Sequence, residues 1–129
     1  MDKTITSTPN APIGLGGYSQ AVRAAGMVYV SGMPPVDAAS GAIVGDTIQE
    51  QTAQCLRNVR AVLEAAGSAM ANIVWAIWSL RNPDDFDGFN EEWARWFAAN
   101  PPARHGAMLP LPDRLSNVRI SIGVIAITE

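Results

Sequence analysis

The sequence predicts an α+β fold in which a mixed β-sheet carries two helices on one face. Two segments of the 129-residue chain have apolar residues at helical spacing, one segment is apolar throughout, and one near the end alternates apolar and polar residues. With a hairpin before them and a short strand between, these segments give the order β-β-α-β-α-β-β. Glycine and proline clusters fall only between them, so residues 1–129 are expected to form a single domain.

The first two strands are predicted from short β-type segments on either side of a glycine turn. Residues 18–23 and 27–31 are separated by two alanines and Gly26, a pattern typical of an antiparallel hairpin. Pro34 and Pro35 lack backbone donors, so we expect the chain to leave the sheet from Gly32 onward.

The first helix is predicted from its cap and its periodicity. Thr47 and Glu50 form a capping-box pattern, and apolar residues then recur every three or four positions as far as Ala66. Gly67 is suited to end the helix because glycine adopts the left-handed conformation of a helix terminus.

The second helix follows an apolar strand. Residues 73–80 are apolar at both parities, which is typical of a central strand. Pro83 and two aspartates then suit a helix start, and residues 100–102, Asn-Pro-Pro, suit its end. One face of this helix is aromatic, and its members are Phe86, Phe89, Trp93, Trp96 and Phe97.

The end of the chain supplies two further strands, predicted at residues 104–109 and 118–127, with a loop between them. Because both helices share one face of the sheet, the other face needs a partner. That face includes whichever of Trp75 or Trp78 points away from the helices, and we expect subunits to associate through it.

Composition excludes several classes of function. The net charge is −3 without any run of basic residues, which disfavours nucleic acid and anionic membranes as partners. The first residues are neither basic nor apolar and no apolar run is of membrane length, so we expect a cytoplasmic protein that does not bind membranes. The one cysteine, Cys55, excludes an internal disulfide and a cysteine metal site, and the one lysine, Lys3, disfavours Schiff-base chemistry.

The motifs of the chain resemble those of the RidA/YjgF family of enamine/imine deaminases. The matching pieces are, in chain order, residues 11–12 and 17–22, residues 28–32 with Pro35, Ser40 and Gly41, residues 58–67, Asp85 and Phe86 with Asn90, and residues 102–104. The resemblance covers nearly the whole chain. It implies a chorismate-mutase-like fold and a homotrimer whose active sites lie in clefts between subunits.

The resemblance also implies a chemistry. Members of the family hydrolyse reactive enamines and imines such as 2-aminoacrylate to a 2-keto acid and ammonia, in the manner of a 2-iminobutanoate/2-iminopropanoate deaminase. They use no cofactor and no metal. Their substrate is a small carboxylate that binds at the subunit interface.

Five residues stand where the family has site residues. Arg104 stands at the substrate-binding arginine, which suits a carboxylate because its guanidinium donates two parallel hydrogen bonds. Tyr18 matches the cleft tyrosine, Ser31 and Gly32 the turn at the cleft wall, and Asn90 the helix asparagine. Structural roles remain open for each: an ion pair for Arg104, a core-edge contact for Tyr18, a simple turn for Ser31 and Gly32, and a cap or interface contact for Asn90.

The chain departs from the family at the residues expected to handle protons. The water-orienting glutamate of the last strand falls on Ser121, and the next acid on that face falls on Gly123. A serine hydroxyl can bind a water but cannot take its proton near neutral pH. Gly106 stands in place of the family's cysteine, and Met33 in place of its glutamine.

These observations lead to a first hypothesis and to alternatives. The first is a RidA-like hydrolase in which Arg104 anchors the substrate and Ser121 helps to position water, acting on a larger or non-standard imine. The alternative is a weak or inactive ligand-binding or regulatory trimer that keeps the arginine. RNA cleavage, a third option, is opposed by the acidic composition. His105 has a pKa suited to a general base, but it neighbours Arg104 on a strand, so it should point to the opposite face and be structural or interfacial unless a bulge turns it toward the cleft.

Overall fold

The computed structural model describes residues 2–14, 16–110 and 117–128, and the α+β class is confirmed. The strands are β1 (Thr4–Thr6), β2 (Ala21–Ala24), β3 (Met27–Met33), β4 (Ile73–Leu80), β5 (Ala103–Met108) and β6 (Ile120–Ile127). The helices are α1 (Ile48–Ala65) and α2 (Phe86–Trp96), with short 3-10 turns at Met70–Asn72 and Pro83–Asp85. The predicted order is present, with one unpredicted strand, β1, before it. Within the described ranges neither helix is long and apolar enough to cross a membrane.

The six strands form one sheet in the order β1-β2-β3-β6-β4-β5. All neighbouring strands are antiparallel except β4 and β5, which are parallel. The strand that is last in sequence, β6, therefore lies in the middle of the sheet between β3 and β4. Helix α1 packs on β3 and β6 and against α2, so both helices cover the same face.

Helix α1 begins and ends as its sequence predicts. The Thr47 hydroxyl accepts a hydrogen bond from the backbone N–H of Glu50 at 3.1 Å, which satisfies one of the unpaired donors of the first turn. Gly67, with a φ of +82°, carries the chain away from the helix end. Between them the apolar side of α1, which includes Leu56, Val59 and Val62, is fully buried.

Alternation along the central strands divides the sheet into two unlike faces. On the helix face, Ala76, Trp78 and Leu80 of β4 are buried under the helices together with alternate residues of β6. On the opposite side, which we call the open face, lie Tyr29, Trp75, Ile77, Ser79, Ser121, Gly123 and Ile125. Trp75 is thus the tryptophan that points away from the helices. Ile77 is 49% exposed in the single chain, so no segment among the described residues covers the open face there.

The end of β3 differs from the prediction. The chain was expected to leave the sheet from Gly32, but β3 continues to Met33, which pairs with Ile122 of β6. The register shifts between Val30 and Met33, so Ser31 and Gly32 form a bulge inside the strand. Most of the predicted loop at 110–117 lies outside the described residues.

Candidate active site

Arg104 lies on the helix face at the edge of the sheet. Its strand β5 pairs in parallel with β4, and Arg104 lies beside Ala76 in the register. The guanidinium donates a hydrogen bond from Nη2 to Oδ1 of Asn90 on α2. It also lies over two rings of α2, 5.0 Å from the centroid of Phe89 and 5.3 Å from that of Trp93. Helix α2 therefore holds the arginine by one amide and two aromatic faces.

The guanidinium of Arg104 is a cation without an anionic partner in the part of the chain that the structure describes. The ion pairs found there join Arg95 to Glu92 and Arg119 to Asp85. Partial burial lowers the pKa of Arg104, but an arginine pKa starts so high that the side chain stays charged at neutral pH. A partly desolvated cation of this kind is suited to bind a carboxylate in two parallel hydrogen bonds.

A row of aromatic side chains supports this arginine. Neighbouring rings lie between 4.5 and 6.3 Å apart, and the members are Trp78, Phe86, Phe89, Trp93 and Phe97. Trp78 explains the absence of the family's cysteine, because a Cβ on Gly106 would overlap the indole of Trp78. The space that a cysteine side chain would need is filled by the tryptophan.

The open face carries a groove of about 240 Å³ along β3, β4 and β6. Three pairs of opposed residues form its floor. They are Trp75 with Ile125, Ile77 with Gly123, and Ser79 with Ser121. None of the groove's lining residues carries a charge. The groove is therefore apolar at one end and lined by hydroxyls at the other.

Ser121 lies beside the β3 bulge. A Cβ on Gly32 would lie 3.7 Å from the Ser121 hydroxyl oxygen, so the two predicted site residues are neighbours. A Cβ on Gly123 would lie 3.1 Å from the Val30 carbonyl oxygen and 3.4 Å from the Gly32 nitrogen. Because residue 123 is a glycine, no side chain of that residue covers the backbone of the bulge, and the groove reaches this backbone.

Tyr18 and Ser31 lie on two segments that are joined by a hydrogen bond. The Ser31 hydroxyl donates a 2.6 Å hydrogen bond to the Ser19 carbonyl, which ties the bulge to the segment that carries Tyr18. The Tyr18 ring is 56% exposed and covers Gly14, where a Cβ would lie 2.6 Å from the ring. Tyr18 is therefore a surface aromatic and not a core-edge one.

The predicted site residues fall into two groups on opposite faces of the sheet. Arg104 and Asn90 contact each other on the helix side, whereas Gly32 and Ser121 adjoin each other on the open side, with Ser31 next to Gly32 in the bulge. A single chain does not bring Arg104 and Ser121 together, because residues on opposite faces of a sheet point apart.

The histidine and the cysteine of the chain both point away from Arg104 or lie in the core. His105 is exposed on the open face beside Ile77, as strand alternation predicted. Cys55 is fully buried, and burial raises the pKa of its thiol. Within the described ranges no group of three or more His, Cys, Asp or Glu side chains could hold a metal ion.

Sequence reasoning missed the place of three residues, Ser79, Phe89 and Trp93. The pattern of β4 predicts only an apolar strand at Ser79, and its place opposite Ser121 depends on a register that no local pattern reveals. Phe89 and Trp93 were identified as an aromatic helix face, but that face gave no sign that it would hold Arg104.

Comparison with known proteins identifies the family. A family model described as Endoribonuclease L-PSP matches residues 8–128. A RutC family protein of Saccharolobus solfataricus is 42% identical over 124 residues, covering 96% of this chain and 97% of that protein. The human protein named 2-iminobutanoate/2-iminopropanoate deaminase is 34% identical, covering 93% of this chain and 90% of that protein.

A solved structure gives the same result. The structure of TdcF from E. coli with bound serine superimposes with a TM-score of 0.88 at 32% identity, covering 98% of this chain and 99% of that one. The fold and these comparisons define a family of small α+β proteins that includes proteins named as imine deaminases. The chain belongs to this family, the RidA/YjgF family, which confirms the resemblance seen in its motifs.

Proposed function

We propose that the chain is a hydrolytic deaminase that converts enamine and imine carboxylates to a 2-keto acid and ammonia. The observation that carries the proposal is Arg104, a partly buried cation fixed by Asn90, Phe89 and Trp93 and free of any acidic partner within the described residues. A relative named as an iminobutanoate deaminase and a neighbouring structure with bound serine support a ligand of amino-acid type. We place this single-domain protein in the cytoplasm, in keeping with its one free, buried cysteine.

The active site is completed by a second copy in a homotrimer. Arg104 and Ser121 lie on opposite faces of one sheet, so a substrate that contacts both needs two chains. The open face supplies an apolar surface for this association, since Tyr29 is 45% exposed, Ile77 49% and Ile127 48%. Sedimentation equilibrium of the wild-type chain tests this arrangement, and a monomeric chain that retains activity contradicts it.

In this site each group performs one task. Arg104 binds the substrate carboxylate, and Asn90 holds the guanidinium in place. Ser121 binds the water that attacks the imine carbon, with the backbone of Gly32 beside it. Tyr18 and Ser31 form the rim of the proposed cleft between the subunits. Because Ser121 is neutral near pH 7, the water is oriented without a general base, and we expect a slow enzyme.

The groove favours a larger substrate than 2-aminoacrylate. Trp75, Ile77 and Ile125 form an uncharged apolar wall next to the hydroxyl end. Such a wall stabilises an apolar substituent and penalises a charged one. Imines of leucine, methionine and phenylalanine should therefore be hydrolysed faster than those of aspartate and glutamate.

A ligand-binding or regulatory trimer is the second candidate, and Ser121 is the observation that favours it. A family member that keeps the arginine but lacks the glutamate can bind a carboxylate without turning it over. Restoring the acid separates the two functions, because Ser121→Glu should increase hydrolysis if the rest of the cleft is competent.

The deciding experiment measures 2-keto acid release from imines that an amino-acid oxidase generates in excess, so that imine hydrolysis limits the rate. Wild type, Arg104→Ala and Ser121→Glu are compared, and Arg95→Ala serves as the matched control because Arg95 is an exposed arginine of α2. We expect acceleration by wild type and Arg95→Ala and its loss in Arg104→Ala. No acceleration by wild type together with a gain in Ser121→Glu would support the regulatory trimer.

A further inference from the structure

Ser79 presents a hydroxyl that the proposed function does not yet use. It lies on β4 directly opposite Ser121 on β6, in an antiparallel pair. The Cβ atoms of directly opposed residues lie about 4.5–5.5 Å apart, so both hydroxyls can reach one small molecule between them. Both side chains are half-buried and both line the groove.

The surroundings leave this hydroxyl pair open toward the groove. On one side Ser79 adjoins Ala107 of β5, and on the other Ser121 adjoins Gly32, so the residues that flank the pair across the sheet are small. In the described part of the chain neither hydroxyl is held by another protein group. Two uncommitted hydroxyls at one end of an apolar groove form a polar spot large enough for a water, which typically takes two to four polar partners.

We propose that Ser79 is a second water-positioning residue, which acts with Ser121 to hold the water that attacks the imine. This inference rests on the proposed deaminase function and adds to it. Two hydroxyls can hold both protons of the water, which one hydroxyl cannot do. One serine accepts a hydrogen bond from the first water proton, and the other accepts a hydrogen bond from the second and donates its own proton toward the substrate.

The proposed hydrolysis needs no charged base, because the two hydroxyls relay the proton. The water oxygen forms a bond to the carbon of the iminium while the C=N π pair moves to nitrogen. One water proton passes through the hydroxyl pair to that nitrogen, and each serine gains one proton as it gives one up. The C–N bond then breaks, ammonia leaves with the electron pair and takes up the remaining hydroxyl proton, and the products are the 2-keto acid and ammonium.

The test compares kcat and KM for imine hydrolysis in Ser79→Ala, Ser121→Ala, the double variant and Ser79→Thr, which keeps a hydroxyl. Ser7→Ala is the control, because Ser7 is exposed and lies outside the groove. We expect Ser79→Ala to lower kcat about tenfold with KM unchanged, as loss of orientation does. Ser79→Thr should restore most of the rate, and the double variant should be little slower than Ser121→Ala because the hydroxyls act as a unit.

The outcomes separate this inference from the proposed function. If wild type accelerates hydrolysis and Ser79→Ala matches it, or if only KM changes, the assignment of Ser79 is overturned and the deaminase stands. If wild type has no activity, both fall. Thermal unfolding checks each variant, and Ser79→Cys, similar in size but a weak hydrogen-bonding group, replaces the alanine variant if that one does not fold.

Discussion

The two faces of this sheet are built on different principles. The helix face is covered by apolar side chains and holds the cation of Arg104, whose position is determined by contacts within the chain. The open face has exposed apolar side chains, two uncommitted hydroxyls and no charge in its groove. One half of the proposed site is thus organised within a single chain, whereas in the proposed trimer the other half is completed by a second copy.

The largest effects are expected from a charge placed on either face of strand β4. Leu80→Asp puts a carboxylate on the helix face, where Leu80 is 0% exposed, and should unfold the protein because no group there pairs the charge. Ile77→Asp puts it on the open face and should leave a folded chain that no longer associates. Circular dichroism and sedimentation separate the two results, and unfolding by Ile77→Asp would show that the open face also stabilises the single chain.

Thiol reactivity compares access to the two faces. Burial raises the pKa of Cys55, which lowers its thiolate fraction at pH 8, and no reagent reaches it in the folded state. A cysteine at the open face, made by Ser121→Cys in a Cys55→Ala background, should react with a small disulfide reagent about 100-fold faster than Cys55 does in wild type. Equal rates would mean that the helix face opens readily.

Restoring the family's cysteine tests how fully the aromatic row is packed. Gly106→Cys forces the new side chain against the indole of Trp78 and should destabilise the protein by about 1–3 kcal/mol in urea unfolding. Trp78→Val removes the ring contact but keeps the carbonyl oxygen of residue 78, 2.5 Å from the new Cβ, so the double variant should recover part of the loss and be more stable than the sum of the two single changes predicts. Simple additivity would show that the indole moves aside without cost.

The smallest effect is expected from the rings under Arg104. Trp93→Leu removes one cation–π contact and should raise KM about fivefold while leaving kcat unchanged, since such contacts contribute about 1 kcal/mol. Trp93→Phe keeps a ring and should recover most of the loss. Trp96→Leu is the control because that ring lies under Arg60 instead. A fall in kcat rather than a rise in KM would assign Trp93 a different role.

The fold could be predicted where local chemistry decides it. Periodicity and the Thr47 cap gave α1, and a continuous apolar run gave β4 with its observed bounds. Strand β1 was missed because three largely exposed residues carry no pattern, and it exists through pairing with β2. The end of β3 was misplaced because the bulge and the pairing of Met33 depend on β6, which lies far along the chain.

The site could be predicted residue by residue but not as an arrangement. The family motifs identified Arg104 and Asn90 separately, and the structure adds that the Arg104 guanidinium donates a hydrogen bond to the Asn90 side chain. Strand alternation alone predicted that His105 lies on the face of the sheet opposite Arg104. The pairing of Ser79 with Ser121 could not be predicted, because a cross-strand register follows from tertiary packing and not from either segment alone.

The central place of β6 has a consequence for synthesis on the ribosome. Strands β3 and β4 are not adjacent in the sheet, and each completes its hydrogen bonding only when β6 enters between them. A nascent chain that has emerged only as far as β5 therefore exposes two unpaired strand edges next to apolar side chains, which is a state prone to aggregation. The sheet should thus close only after β6 has left the ribosome, and a translation product that stops before β6 should be recognised by chaperones and proteases rather than persist as a partial domain.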